Sequence, residues 1–244
     1  MKAVGIIPAR YHSTRLEGKP LMDIHGKSMI QRVYENVMDA DVLDDVLVAT
    51  DDQRIIEAVE QFGGNVVMTS ARHTTGTDRI AEVAKNLDVQ VVINIQGDEP
   101  FLTPTMIEEV TAPLLEHPDI PMCTLMHKIT EKNFQNPNAV KVVTNTAGFA
   151  LYFSRSLIPF PRRPEEHHAF EHIGIYGYQK DFLLKLTQLA PTPLEKTEAL
   201  EQLRVIENGF DIKVILTTAQ DYIPLSIDTR EDLERARSLI RPSS

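Results

Sequence analysis

The sequence predicts an α/β protein with a mostly parallel sheet flanked by helices. Two observations carry this. From the start of the chain to about residue 117, short β-branched runs alternate in strict turn with stretches of helical apolar spacing. Beyond that point the segments become extended, with few helices between them, before a final strand and helix return. The first pattern is that of βαβ units, and the second adds a smaller mixed part.

The elements follow in order. "AVGIIPA" is a short strand, and "SMIQRVYENVMDA" places Met29, Ile30, Val33, Tyr34 and Val37 at helical spacing. "DVLVATD" is strand-like, and "DQRIIEAVEQFG" is a helix stopped by Gly63 and Gly64. "NVVMTS" and "TDRIAEVAKNL" repeat the pair. "VQVVINIQGDEP" is a long apolar run closed by a turn signal. "TPTMIEEVTAPLLEH" reads as a helix with Thr103 as cap and Pro104 at its first position. "PMCTLMHKI", "NAVKVVTN" and "GFALYFSRS" are extended, and "TNTAG" has the composition of a hairpin turn. "PFPRRPEEHHAFEH" is a Pro-rich charged loop, "HIGIYGY" a strand, and "PLEKTEALEQLRVIENG" one helix ended by Gly209. "DIKVILTT" is a strand and "TREDLERARSLI" the closing amphipathic helix.

A formal net charge of −10 over 244 residues argues against a protein built to coat nucleic acid. It leaves room for a small anionic ligand, which needs only a local positive cluster. The single cysteine, Cys123, cannot form an intrachain disulfide and fits a reducing compartment. The first apolar run is too short for a signal peptide, and no stretch approaches the roughly 18 apolar residues of a membrane span. A cytoplasmic protein with no membrane partner is expected.

Ligands of open α/β sheets bind beyond the carboxyl ends of the strands, and three candidate ends carry unusual residues. After the first strand, "PARYHSTRLEGKP" sets Arg10, Arg15 and Lys19 around Ser13. Backbone N–H groups of such a loop can face a phosphate while Arg and Lys neutralise it; a solvated basic turn is the alternative. The pattern is neither a Walker loop nor the glycine fingerprint of dinucleotide binders. In "INIQGDEP", Asp98 can hold Mg²⁺ or simply cap its turn, with Glu99 the second choice. In "SIDTRED", Asp228 follows the last strand-like run, as a metal ligand or as a helix cap. If both aspartates face one cleft, they would balance the metal charge that a triphosphate brings. "ARHTTGTDRIAEV" offers Gly76 for close backbone approach and threonine hydroxyls before a helix. His172 and Tyr176 fall at even spacing on one strand face, as ligand contacts or as core. The histidines show no metal-site pattern, and no Ser or Cys nucleophile motif is present.

Taken in order, "IIPARYHSTRLEGKPL", "VATDD", "HTTGTDRIAEV", "VINIQGDEP", "NPNAVKVV", "ALYFSR", "HIGIYGY", "LEQLR" and "IDTREDLERA" resemble the 3-deoxy-manno-octulosonate cytidylyltransferase family. The resemblance runs from about Gly5 to Ala236, and "HIGIYGY" and "LEQLR" are its more specific parts. It implies a nucleotide-diphospho-sugar-transferase-like fold: one nucleotidyltransferase domain over 1–244, with about 122–190 forming a mixed-sheet acceptor and dimerisation part. It implies Mg²⁺-dependent transfer of CMP from CTP to 3-deoxy-manno-octulosonate (Kdo) for lipopolysaccharide biosynthesis, by a homodimer. Carried over by motif, Arg10, Arg15 and Lys19 grip the triphosphate with Ser13 supporting the loop. Ala9 meets the base through its backbone, Thr75, Gly76 and Gln96 lie beside the nucleotide, and Asp98 and Asp228 hold magnesium. Arg155, His172, Tyr176, Glu201 and Gln202 line the sugar-acid pocket, with Arg155 toward the carboxylate. Where the family usually has Ser-Gly-Thr, this chain has Thr75-Gly76-Thr77; the role of Arg72 is open. Rival readings are a cytidylyltransferase for sialic acid or amino-Kdo, and a non-catalytic nucleotide-binding regulator.

Overall fold

The computed structural model describes residues 1–13 and 16–240. The chain opens with β1 (Ala3–Ala9), crosses a small hairpin of β2 (Asp23–Ile24) and β3 (Lys27–Ser28), and enters α1 (Met29–Met38). β4 (Asp45–Thr50), α2 (Gln53–Gln61), β5 (Asn65–Met68), α3 (Gly76–Lys85), β6 (Val91–Asn94) and α4 (Pro104–Glu116) continue the alternation. β7 (Met122–Lys128), β8 (Lys141–Thr144), β9 (Ala150–Ser154) and β10 (Phe170–Gln179) follow without an α-helix between them. α5 (Lys180–Leu186), α6 (Pro193–Glu198), α7 (Leu203–Glu207), β11 (Ile212–Leu216) and α8 (Arg230–Leu239) complete the described chain.

Nine of the strands form one sheet with the path β11-β7-β10-β6-β1-β4-β5, and β8 attaches to β10 and carries β9. β6, β1, β4 and β5 run parallel, as the alternating first half predicts. β1 is buried along nearly its whole length, as a central parallel strand must be. α1 presents the five predicted residues, Met29, Ile30, Val33, Tyr34 and Val37, to the core, and Ser28 caps it by accepting from Gln31 N. Residues of α1, α2 and α4 pack on one face of the sheet, and residues of α3, α5 and α7 on the other. Among the described residues no helix is long and apolar enough to cross a membrane.

The later strands join this same sheet. β10 is antiparallel to both β6 and β7, and Tyr176 pairs with Asn94 at the carboxyl end of β6. The amino-terminal part of β10 therefore projects beyond that end, the side on which ligands of such sheets bind. The turn read in "TNTAG" is present: Asn145 Oδ1 accepts from the N–H of Ala147 and Phe149 between β8 and β9.

Two expectations need correction. The stretch from Pro193 to Gly209 is not one helix: α6 ends at Ala199, which has φ +51°, and α7 starts at Leu203. Its apolar spacing continues across the break and no glycine or proline marks it, so the sequence hides it. Asp228 sits neither at a strand end nor at a helix cap. The chain before it has no regular secondary structure and lies outside the sheet, and the cap is Thr229, in a reciprocal box with Asp232.

Candidate active site

The carboxyl ends of β1 and β6 and the start of α3 enclose a cleft of about 320 Å³. Its floor depends on glycine. A Cβ on Gly76 would meet Pro8 Cγ at 3.2 Å, and one on Gly97 would meet the Pro8 carbonyl oxygen at 3.3 Å. Both backbones thus approach the end of β1 so closely that a side chain would fit only if Pro8 gave way by a few tenths of an ångström. Thr75 caps α3, accepting from Asp78 N at 3.0 Å, so the start of a ten-residue helix opens onto the cleft. On the opposite wall the loop after β1 closes on itself: Gly18 N donates to Tyr11 O at 2.9 Å, with Gly18 at φ +67°. The Arg54 guanidinium stacks 3.2 Å above the Tyr11 ring. That closure leaves Arg10, Ser13 and Lys19 lining the cleft.

Lys19 is where the two aspartates meet. Its Nζ donates to Asp98 Oδ2 at 2.6 Å and to Asp228 Oδ1 at 3.0 Å, with only 14% of the Lys19 side chain exposed. Residues 130 positions apart in sequence converge because Ile227 N donates to Asp98 O at 3.0 Å. Leu225 and Ile227 are buried in a small core with Leu16, Ile24, Met29 and Leu233, which seats this segment and α8 beside the Lys19 loop. Next door, burial, reinforced by the Asp98 charge, pushes the Glu99 carboxyl up to about 8.

Asp98 and Asp228 already gather around one cation, and their donors are carboxylate oxygens. Among the described residues no group of three or more His, Cys, Asp or Glu side chains could hold a metal. A two-carboxylate set fits Mg²⁺, which keeps waters and takes phosphate oxygens for its other positions.

The acceptor candidates form an adjoining wall on the α3 face of the sheet. The rings of His172 and Tyr176 lie 5.3 Å apart, centroid to centroid. Their alternation survives a β-bulge between Ile173 and Tyr176. His172 Nε2 is 3.0 Å from Thr124 Oγ1, and its ring packs edge-on against Phe153. Burial pushes the imidazole down to about 3, so it stays neutral. Glu201 and Gln202 emerge from the break between α6 and α7. Thr77 Oγ1 donates to Glu201 Oε2 at 2.5 Å, and burial, ahead of the nearby Asp78 and Glu195 charges, raises the Glu201 carboxyl above its ordinary value. Gln202 is 4% exposed, and its Nε2 has no hydrogen-bond partner among the described residues.

The cleft thus brings together Ala9, Arg10, Ser13, Lys19, Thr75, Gly76, Gln96, Asp98 and Asp228. Arg15 lies outside the described residues. Arg155 is not among the residues lining the cleft; its Nε, Nη1 and Nη2 donate to the carbonyls of Glu198, Pro137 and Ala199, at the end of α6. Residues that sequence reasoning missed are His73 and Arg79. His73 lines the cleft with its Nε2 held by the Glu82 carboxylate. Arg79, 4% exposed, donates to Thr69 Oγ1 at 2.6 Å and pairs with Asp51 at 3.3 Å, locking α3 to the ends of β4 and β5. The only signal for either was position: His73 lies between the end of β5 and the start of α3, and Arg79 in the first turns of α3.

Residues 4–214 match the family model described as cytidylyltransferase. The chain is 51% identical over 251 residues to the 3-deoxy-manno-octulosonate cytidylyltransferase of Syntrophotalea carbinolica, with 99% of each covered. It is similar to a solved CMP:2-keto-3-deoxy-manno-octonic acid synthetase complexed with CTP, at TM-score 0.91 and 43% identity, covering 98% of each chain. The 4-diphosphocytidyl-2C-methyl-D-erythritol synthase of Anaerococcus prevotii shares the fold, at TM-score 0.64 and 14% identity, over 98% of this chain and 96% of that one.

Proposed function

The chain belongs to the 3-deoxy-manno-octulosonate cytidylyltransferase family, and from that premise we propose that its cleft transfers CMP from CTP to the anomeric hydroxyl of Kdo, releasing diphosphate. The observation that carries the reading is the Lys19 ammonium bonded to both Asp98 and Asp228, in a cleft walled by the start of α3.

Such a transfer is an in-line displacement at the α-phosphorus, governed by positioning and charge neutralisation more than by covalent chemistry. Arg10 and Lys19, with Arg15 carried over by motif, neutralise the charge that builds on the departing diphosphate. Lys19 exchanges its carboxylate partners for phosphate oxygens when CTP enters. Ser13, Thr75 and Gly76 hold the phosphates and ribose side, Ala9 meets the base through its backbone, and Gln96 lies between the two substrates. Asp98 and Asp228 would hold Mg²⁺, which when bound would supply positive charge at the α-phosphate and lower the pKa of the attacking hydroxyl. Tyr176, neutral His172, Glu201 and Gln202 receive the sugar acid through hydrogen bonds. The unpartnered Gln202 Nε2 supports this, since a buried amide hydrogen without an acceptor is costly unless a ligand supplies one.

The whole chain then acts as one nucleotidyltransferase domain in the cytoplasm, making the activated sugar for lipopolysaccharide. The part at about 122–190 is the dimerisation region of a homodimer. Leu151, 57% exposed on β9, which among the described residues pairs only with β8, supports that placing. The test is diphosphate release by the purified protein with CTP, UTP or ATP and either Kdo, amino-Kdo or a sialic acid. Fastest turnover with CTP and Kdo is expected. Preference for another sugar acid would reassign the acceptor, and no release with any pair would favour a non-catalytic role.

A further inference from the structure

The closing helix α8 supports neither face of the sheet. Its two buried side chains, Leu233 and Ala236, belong to neither of the cores packed there. They pack instead in the small core shared by the Lys19 loop, the β2–β3 hairpin and the segment before Asp228. Both ends of the helix are tied to that same region by hydrogen bonds. At its start, Asp232 Oδ2 accepts from Asp228 N at 3.2 Å, from Thr229 N at 2.9 Å and from Thr229 Oγ1 at 2.8 Å. In its last turn, Arg237 Nε and Nη2 both donate to Asp23 O, at 3.0 and 2.6 Å, and His25 Nε2 lies 2.7 Å from Arg237 O. Asp23 opens the hairpin that follows Lys19, and Met22 N donates to Lys19 O at 3.2 Å. Across the cleft edge, Lys19 Nζ donates to Asp228 Oδ1 at 3.0 Å. The helix therefore holds the chain on both sides of that contact.

Capping alone does not account for the bonds at its start. The reciprocal box between Thr229 and Asp232 is complete with the Thr229 N–H and hydroxyl. The bond from Asp228 N is additional, and it reaches the backbone of the residue that faces Lys19. One residue earlier, Ile227 N is held on Asp98 O at 3.0 Å. Two successive N–H groups are thus fixed, one on the Asp98 carbonyl and one on the Asp232 carboxylate. Together they resist rotation of the Asp228 backbone and keep its carboxylate aimed at Lys19. On the far side of the hairpin, Arg32 of α1 donates to Ile24 O at 2.7 Å, so the hairpin is gripped between two helices.

We infer that Asp232 and Arg237 are positioning residues: α8 is a brace that holds Asp228 in register with Lys19 and Asp98, and so sets how strongly the cleft takes a divalent cation together with its nucleotide. This rests on the reading of Asp98 and Asp228 as metal ligands in a cytidylyltransferase site. A small hard cation such as Mg²⁺ demands near-ideal ligand geometry, and replacing the groups that orient its ligands commonly weakens metal binding by about 10–100-fold. Asp232 acts through the Asp228 backbone, and Arg237 through the hairpin that carries on from Lys19.

The experiment is calorimetric titration of CTP, without sugar acid, into wild type, Asp228→Asn, Asp232→Ala, Asp232→Glu and Arg237→Gln. Each is titrated in EDTA and again at saturating Mg²⁺, with thermal melts alongside. The quantity read is the ratio of the two Kd values, which reports the coupling of metal to nucleotide. Mg²⁺ should tighten CTP binding to wild type about tenfold. Asp232→Ala should reduce that tightening to about twofold and Arg237→Gln to about fivefold, while the Kd in EDTA stays within about twofold of wild type. Asp232→Glu, which keeps a carboxylate at the box position, should restore the tightening to within about twofold of wild type. Should Asp232→Ala fail to fold, Arg237→Gln, whose side chain is 32% exposed, must show the same loss of tightening. Full tightening in both α8 variants, an equal loss of CTP affinity in EDTA and in Mg²⁺, or an Asp232→Glu protein as impaired as Asp232→Ala would overturn the inference. If Mg²⁺ does not tighten CTP on wild type, or tightens it fully on Asp228→Asn, the metal reading of the cleft fails and takes the inference with it. An impaired Asp228→Asn beside unimpaired α8 variants sinks the inference alone.

Discussion

On the nucleotide side of the cleft the functional groups are charged and partly open to solvent; on the acceptor side they are uncharged or paired, and buried. Lys19, Asp98 and Asp228 hold one another at its edge, and Arg10 is exposed beside them. His172, Tyr176, Tyr178 and Gln202 sit in the sheet–helix interface, and burial keeps His172 uncharged and raises both tyrosine hydroxyls above their ordinary pKa. On the proposed function the difference follows from the ligands. A triphosphate arrives with its own charge, so its site must offer ions able to change partners, and ions change partners cheaply only where water still reaches them. A sugar acid is recognised by its pattern of hydroxyls, and a buried hydrogen-bonding wall discriminates such patterns strongly because an unmatched donor is costly.

The largest expected effect breaks the charged side. Asp98→Asn should lower kcat by at least about 100-fold at saturating Mg²⁺, the scale of losing one electrostatic contact to the transition state. An unchanged kcat would remove Asp98 from the reaction. Lys19→Ala should lower kcat by about 30-fold, with the KM for CTP changing less; a rise in KM alone would mean that Lys19 binds ground state and transition state equally. On the buried side the effects are smaller and take a different form. His172→Gln should raise the KM for Kdo about fivefold and leave the pH profile of kcat between about 6 and 9 unchanged, since the ring is neutral there. It should also flatten the acid limb of stability. The folded-state imidazole is pushed down to about 3 from its ordinary 6.5, so the unfolded chain binds a proton that the folded chain refuses, and stability falls as pH drops from 6.5 toward 3. Denaturant melts across that range read the effect; identical slopes for wild type and variant would place the ring in water. The smallest effect is at Arg155. Arg155→Gln loses up to three hydrogen bonds to carbonyls, and should lower Tm by a few degrees while moving the Kdo KM less than about twofold. A tenfold KM change would return Arg155 to the sugar pocket.

The same contrast explains what the sequence disclosed. The nucleotide side is built from segments that each follow a strand, and their residues are contiguous: Ala9 to Lys19, Thr75 and Gly76, Gln96 to Asp98. Strand ends and turn signals are legible locally, and so were the parallel strands and α1 to α4. Asp228 was found as a residue but misplaced as a strand end, because the apolar Leu225 and Ile227 that look strand-like are buried against the Lys19 loop without sheet pairing. The acceptor wall depends on long-range events that leave little local trace. The break at Ala199 frees Glu201 to meet Thr77, 124 positions away, yet alanine at positive φ carries no compositional signal.

The central claim is that Arg10, Lys19, Asp98 and Asp228 act on one triphosphate. The direct measurement is a crystal structure of the protein grown with CTP and Mn²⁺, with the metal located by anomalous scattering. The account predicts a metal peak contacted by carboxylate oxygens of both Asp98 and Asp228 and by a phosphate oxygen, with Lys19 Nζ moved from the carboxylates onto the phosphates. A peak touching neither aspartate, or Lys19 still bridging the two carboxylates beside bound CTP, would contradict it.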